Sequence, residues 1–430
     1  MLGALDIVQP MVETNGATLH LQTPRLVNRI FYRLVTMFLR RLVLAYFRLQ
    51  ARASEAVPAE GTALVLANHI ALFDPIWLYV LLRRPVYYAA SEDLFRTPLL
   101  ARVIRSFGAF PKRKAASDVS ALRSIFAIAG TKSLIGVFPE GVRTWDGTNS
   151  PIFPGIAKLI RKLKVPVCVC RFEGAYLAYP RWARWWRRIP VTGTFSRLYD
   201  PDTIPADDER ILSDIAEAIR TPDYQMQIDP ARYWRRGLAV NLTRVLYRCP
   251  SCGTQEGLKL VRPYRTNQVE CSSCFSTWVI DATCRLASVD ENGQAEGKWD
   301  PLPEYYARIA AMPLTPILTQ IRLGLEQGEE LYLISRPRFL MKEEQFPNLN
   351  VLAFGRAFLT GRRLIFRTRL GIPLSAPLAA LGALSVDPGD RLHFTFEGKL
   401  YRVPFRNESA LKWFDTIQRL QMTARQDTRG

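Results

Sequence analysis

Residues 62–75 read TALVLANHIALFDP. The first six, Thr62 to Ala67, are a continuous apolar run of strand length. It leads straight into Asn68 and His69, and Asp74 follows five residues after the histidine, itself followed by Pro75. An unbroken run of this kind suits a strand covered on both faces. Asp-Pro suits a helix start, with the aspartate as cap and the proline at the first helical position. The stretch therefore predicts a strand, a tight loop and a helix over Pro75–Leu82, with a histidine at the carboxyl end of the strand. That end is where open parallel sheets build their sites.

Outward from this stretch the pattern repeats. Val86–Ala89, Ser133–Phe138, Val165–Arg171 and Val191–Phe195 read as strands, and Pro98–Ser106, Ile156–Leu163 and Asp208–Arg220 as helices. The alternation predicts an α/β domain with a largely parallel sheet over residues 51–225. Two further segments bear chemistry within it. Gly108-Ala-Phe-Pro-Lys112-Arg113-Lys114 offers a glycine where the backbone passes close to something, then three cations, of which Arg113 can grip a phosphate bidentately. Phe138-Pro139-Glu140-Gly141-Val142-Arg143-Thr144 leaves a strand with a carboxylate for a hydroxyl or a cation, a glycine for a tight turn, and a second arginine for phosphate. Neutral imidazole at His69 suits removal of a hydroxyl proton near pH 7, and a carboxylate at Asp74 suits stabilising the imidazolium that forms.

The ordered set NHxxxxD, GxFxxR and FPEGxR, with Val165-Pro166-Val167 downstream, resembles the glycerolipid acyltransferases that convert lysophosphatidic acid to phosphatidic acid. The resemblance covers about residues 50–220 and departs from the family's pattern at Val142, Thr144, Phe153-Pro154 and Cys168 to Cys170. It implies His69 as base and Asp74 as its partner, with Gly108, Arg113, Glu140, Gly141 and Arg143 binding the acceptor. The implied substrates are a lysophospholipid acceptor and an acyl donor, acyl-CoA or acyl-carrier protein.

The flanking segments are read from their own residues. Residues 1–23 form a tail without a basic start, apolar run or cleavage site, so no secretory signal is expected. Over 24–50 an amphipathic helix is predicted. Val27, Phe31, Leu34, Val35, Phe38, Leu42 and Leu49 share one side and Arg25, Arg29, Arg33, Arg40, Arg41 and Arg48 the other. Such a helix fits the headgroup layer of an anionic phospholipid membrane, or packing on its own domain. Arginines interrupt every apolar stretch, so no spanning helix is expected, and the protein is placed inside the cell, peripheral on the cytoplasmic face of a membrane. In GAYLAYPRWARWWRRIP, residues 174–190, Trp182, Trp185 and Trp186 alternate with arginines, a mixture that favours headgroup depth over single-stranded nucleic acid.

A formal charge of +19 calls for anionic surroundings, and 48% hydrophobic residues argue against a disordered chain. Residues 226–245 are predicted as a helical connector. Cys249-Pro-Ser-Cys252 and Cys271-Ser-Ser-Cys274 have the spacing of a four-cysteine zinc ribbon over 246–284, with a structural Zn²⁺. Residues 285–327 are predicted as a linker with helices, in which Asp290–Trp299 is a loop.

From 328 to 424, short β-like runs and a closing helix are similar to GRAM and other pleckstrin-homology-like domains. Arg356, Arg362, Arg363, Arg367 and Arg369 are candidate contacts for a lipid headgroup or a protein partner. The leading expectation is thus a membrane-associated O-acyltransferase. The alternatives are a non-catalytic lipid-binding scaffold and, less favoured, a nucleic-acid-binding zinc-ribbon protein.

Overall fold

A computed structural model describes residues 12–14, 17–19, 37–38, 40–82, 84–112, 119–262, 265–319, 321, 323–345, 348–387 and 390–427. The α/β domain is built on seven strands: β1 Gln50–Arg52, β2 Ala63–Ala67, β3 Val86–Ser91, β4 Ala109–Lys112, β5 Leu134–Val137, β6 Val167–Glu173 and β7 Thr192–Tyr199. Their order across the sheet is β1-β7-β6-β2-β5-β3-β4. All neighbours are parallel except β6 and β7, which run antiparallel.

The central strand β2 explains why its sequence is continuously apolar. Ala63, Val65 and Ala67 point to one face, where they join Trp77, Leu78 and Leu81 of the helix Asp74–Leu82. Leu64 and Leu66 point to the other, against Ile125 and Ile128 of Val119–Ala129, Ile156 and Ile160 of Gly155–Leu163, and Ile211 and Ile215 of Asp208–Ala218. Helices reach opposite faces because the chain runs from β2 to β3 and β4 in one direction across the sheet and returns to β5 and β6 in the other, and right-handed crossovers, the rule for parallel strands, then place their helices on opposite sides. Strand β4 and the helix Val119–Ala129 were not expected from the sequence. Pro111 masks the first, a strand at the sheet's edge where proline is tolerated.

Of the amphipathic helix predicted over 24–50, residues 24–36 and 39 lie outside the described residues. Residues 37–38 and 40–47 are helical, and the helix stops before 50 because Arg48 turns left-handed, with φ 47°. The predicted connector over 226–245 is not a helix. Single turns at Pro230–Tyr233 and Leu242–Arg244 are separated by Gly237 and Asn241, with φ of 80° and 70°, which a helix cannot contain.

The cysteine-bearing module extends past the predicted 284. It is a five-stranded antiparallel sheet of Leu258–Leu260, Gln268–Cys271, Thr277–Ile280, Arg285–Val289 and Ala295–Pro301. The last strand occupies the predicted loop. It lies at the sheet's edge with its first four residues exposed, so the apolar alternation that marks a strand is absent from it. The helix Leu302–Ala311 follows.

The C-terminal domain is an eight-stranded antiparallel arrangement ordered Leu374–Pro377, Arg363–Arg367, Asn348–Thr360, Arg338–Gln345, Lys399–Pro404, Arg391–Phe396, Gly382–Asp387, with Leu331–Ile334 also paired to Asn348–Thr360. The closing helix Ala410–Asp427 packs Trp413 and Ile417 into this domain, while Leu411 joins the buried cluster that the α/β domain shares with the cysteine-bearing module. One helix thereby belongs to two cores. No helix among the described residues is long and apolar enough to cross a membrane.

Candidate active site

Strand β2 ends by pairing through a side chain. The Asn68 amide donates to the Phe172 carbonyl at 3.0 Å and its oxygen accepts the Phe172 N–H at 2.8 Å, extending the ladder with β6 by one residue. The next residue, His69, is thereby thrown onto the loop before the helix Asp74–Leu82. Asp74 is fully buried, and its Oδ2 accepts the backbone N–H of Ile70 at 2.7 Å and of Ala71 at 2.9 Å, which closes the loop. The same oxygen lies 3.0 Å from His69 Nδ1. With Nδ1 donating to Asp74, the lone pair of the neutral ring falls on Nε2, the nitrogen left to accept a proton.

The loop after β5 meets this one. Phe138 stacks on the imidazole with centroids 4.5 Å apart. Glu140 Oε1 accepts the His69 backbone N–H at 3.0 Å and the Asn149 amide at 3.1 Å, and its Oε2 accepts the Ser150 N–H at 2.7 Å. Both carboxylate oxygens are therefore engaged in holding the two loops together. Burial pushes the Glu140 carboxyl up to about 7, against the pull of these donors. Gly141 turns with φ 70°, and the Thr144 N–H then reaches the His69 carbonyl at 3.3 Å. His69 keeps 21% side-chain exposure. Desolvation lowers its pKa below the ordinary 6.5, Asp74 opposes this, and the positive charges of Arg143 and Arg181 add to the lowering. A pKa held below 6.5 leaves the imidazole mainly neutral at pH 7, the form that can accept a proton.

The structure thus gathers His69, Asp74, Glu140, Gly141 and Arg143. Arg113 lies outside the described residues. Gly108 is placed differently: it precedes β4 at φ 85°, and a Cβ there would stand 2.3 Å from the Val86 carbonyl oxygen. The register sets it at the amino-terminal side of the sheet, away from the His69 loop, so the contact it makes possible is with β3. Asn68, Asn149, Ser150 and Arg181 were not singled out from the sequence as site residues. Asn68 had a signal, the dipeptide with His69; the others had none, because their partners are distant along the chain.

The Trp/Arg segment divides rather than forming one surface. Trp182 is buried and donates to the Tyr176 hydroxyl at 3.0 Å. Arg187 is also buried, reaching the Ala282 carbonyl and Cys284 Sγ at 2.8 Å each. Trp186 packs on Phe73 at 4.3 Å and Phe47 at 4.8 Å. Arg184, Trp185 and Arg188 remain outside.

A second cluster gathers Cys249, Cys252, Cys271 and Cys274, whose Sγ atoms all lie within 4.8 Å of one another. The pairs Cys249–Cys274 and Cys252–Cys271 are 3.6 and 3.7 Å apart. Four sulfurs about 2.3 Å from a tetrahedral zinc are about 3.8 Å apart, so the set fits such an ion. The module is tied to the closing helix, with the Tyr247 hydroxyl on Asp415 at 2.8 Å and Lys412 on Glu256 at 2.7 Å. Of the C-terminal arginines, Arg362 pairs with Glu326 at 2.6 Å and Arg363 with the buried Glu329 at 2.9 Å, which engages both with carboxylates.

The family model named Acyltransferase matches residues 48–173, the span that holds this whole constellation from β1 to β6. Residues 48–173 are an acyltransferase domain. Within 124 residues, 28% of the chain, the protein is 28% identical to the 1-acyl-sn-glycerol-3-phosphate acyltransferase of Borreliella burgdorferi. The match covers 49% of that protein, so the chain spans about half the length of the curated relative it matches. Two solved structures are similar in part. The 1-acyl-sn-glycerophosphate acyltransferase of Thermotoga maritima is 22% identical, covering 45% of this chain and 83% of that one, with a TM-score of 0.37. The Vps36 N-terminal PH domain is 19% identical, covering 23% and 84%, with a TM-score of 0.20. His69, Asp74, Glu140, Gly141 and Arg143 lie within the matched span and Arg181 lies beyond it; the two modules after the α/β domain carry no part of the dyad.

Proposed function

We propose that the chain is a membrane-associated O-acyltransferase that moves a fatty acyl group from acyl-CoA or acyl-carrier protein to the free hydroxyl of a lysophospholipid, with 1-acylglycerol-3-phosphate as acceptor and phosphatidic acid as product. The observation that carries this reading is the His69–Asp74 dyad, held by two loops, with its imidazole kept neutral by burial beside Arg143.

In this mechanism Nε2 of His69 takes the proton of the acceptor hydroxyl as its oxygen attacks the thioester carbonyl. The new C–O bond forms and the C–S bond breaks. The departing thiolate then recovers the proton from the imidazolium, which Asp74 has stabilised meanwhile. Arg143 and Arg113 are assigned to the acceptor phosphate, since guanidinium matches phosphate bidentately. Glu140 acts by holding His69 and the Gly141–Thr144 loop in register, and Gly108 by setting the strand that leads to Arg113.

Membrane docking is assigned to the helix before β1, where Phe38 and Leu42 are 62% and 49% exposed. The exposed Arg184, Trp185 and Arg188 add to it, and the charge of +19 favours an anionic surface. The four cysteines are assigned a structural Zn²⁺, which when bound stabilises the small sheet, and all four of its positions would be thiolate. In the pleckstrin-homology-like C-terminal domain, Arg356 and Arg369 are the candidates for an anionic headgroup.

Purified protein, given 1-acylglycerol-3-phosphate, other lysophospholipids and glycerol-3-phosphate with each donor type, should release free thiol and form acylated product. His69→Ala should abolish the transfer while leaving the thermal unfolding transition in place. Near-normal transfer by a folded His69→Ala protein would sink the mechanism.

A further inference from the structure

Arg181 stands where three parts of the molecule meet. Its Nη1 donates to the Arg143 carbonyl at 2.7 Å, inside the loop that follows Glu140. Its Nη2 donates to the carbonyl of Val386 in the C-terminal strand Gly382–Asp387. The guanidinium lies over the Trp145 ring, 4.0 Å from its centroid. Trp145 itself packs against both hydrophobic cores, that of the α/β domain and that of the C-terminal domain. Its carbonyl accepts the Tyr176 hydroxyl at 2.9 Å. A planar fork with five donors can span two carbonyls and stack at once, which an ammonium cannot.

We propose that Arg181 is a positioning residue of the acyl-transfer site, tying the Arg143 loop to the C-terminal β-domain so that the seating of that domain sets where Arg143 meets the acceptor phosphate. The inference rests on the acyl-transfer reading for its consequence, and on the contacts alone for the coupling. Neither of the two carbonyls belongs to a side chain, so sequence patterns at their positions carry no trace of the junction.

The charge of Arg181 also reaches His69. The groups facing that imidazole are Asp74 on its own loop, Glu140 at its backbone N–H, and Arg143 and Arg181 from the neighbouring segments. Asp74 favours the imidazolium; both arginines disfavour it. An arginine that acted only as a structural prop would leave the titration of His69 unmoved.

The test uses the full chain with Arg181→Gln and Arg181→Lys. Amide hydrogen exchange should quicken at Thr144, whose N–H is held by the His69 carbonyl, and along residues 382–386, in both variants. Acceptor KM should rise about tenfold in both, as expected for loss of a charge-assisted hydrogen bond, with a smaller change in kcat. The acid limb of kcat/KM should move to higher pH in Arg181→Gln and stay in place in Arg181→Lys, which keeps the charge. Wild-type KM and wild-type exchange in a folded Arg181→Gln protein would overturn the proposal. If Arg181→Gln does not fold, the same two results in Arg181→Lys overturn it. A wild-type chain that transfers no acyl group to any acceptor defeats the functional reading instead, and the exchange measurement then still decides the coupling.

Discussion

Asp74→Asn isolates the electrostatic part of the dyad. Asp74 is fully buried, and one of its oxygens, Oδ2, accepts from Ile70 N–H, Ala71 N–H and His69 Nδ1 at 2.7, 2.9 and 3.0 Å. An asparagine with its carbonyl oxygen in that place keeps all three contacts, and therefore the loop and the imidazole tautomer. Its NH₂ falls where Oδ1 already lacks a partner among the described residues. What is lost is the charge. Opposite charges about 4 Å apart are worth about 4 kcal/mol at an effective dielectric of about 20. The imidazolium exists only once the proton has been taken, so the loss falls on the transition state. A rise of about 4 kcal/mol in the barrier lowers kcat roughly a thousandfold.

Initial rates with 1-acylglycerol-3-phosphate and acyl-CoA, with thermal unfolding alongside, should show that fall in kcat at nearly unchanged acceptor KM and stability. Asp74→Ala, by contrast, also strands the two N–H groups, at about 1–3 kcal/mol each, and should be visibly less stable. A folded Asp74→Asn protein within about tenfold of wild-type kcat would limit the charge to about 1.4 kcal/mol and refute the reasoning.

Because burial holds His69 below its ordinary 6.5, the acid limb of kcat/KM should have its midpoint below 6.5; a midpoint above that value would contradict the electrostatics of the site. In Glu140 the folded state keeps a proton between 4.5 and about 7 that the unfolded chain has released. That contribution to stability is present below 4.5 and is lost as pH rises through 7, so denaturant titrations of Glu140→Gln should lack this slope. The same variant turns an NH₂ toward at least one backbone donor and should cost about 1–3 kcal/mol at low pH, where the slope no longer masks it. Gly108→Ala places a Cβ 2.3 Å from the Val86 carbonyl oxygen at φ 85°, and should lower the unfolding midpoint by the equivalent of about 1–3 kcal/mol; an unchanged midpoint would show that β4 can shift. Metal analysis should find about one zinc per chain, and strong chelation should loosen the closing helix, measured by exchange around Asp415 and Lys412.

How far the sequence could be read depended on the distance over which each feature is built. The apolar run of β2, the Asp-Pro start and the two CxxC knuckles are made by neighbours along the chain, and each appeared in the structure with little change. Ala295–Pro301 and β4 were illegible because edge strands are not obliged to be apolar. The stretch around Trp182 looked like one surface, and only packing could sort it. At three or four residues' spacing the same residue types alternate between core and solvent, so Trp182 and Arg187 went inside while Arg184, Trp185 and Arg188 stayed out.

By itself the sequence determined that His69 and Asp74 would meet, since the six residues from His69 to Asp74 close a single loop at a strand end. Only the tertiary structure decided that Glu140 would grip the histidine backbone across 71 positions, that Gly108 would serve strand packing, and that Arg181 would reach from the Arg143 loop to Val386 across 205. The physical reason is that a hydrogen bond inside a turn follows from covalent geometry, whereas one between distant segments exists only after the strands carrying them have found their order in the sheet.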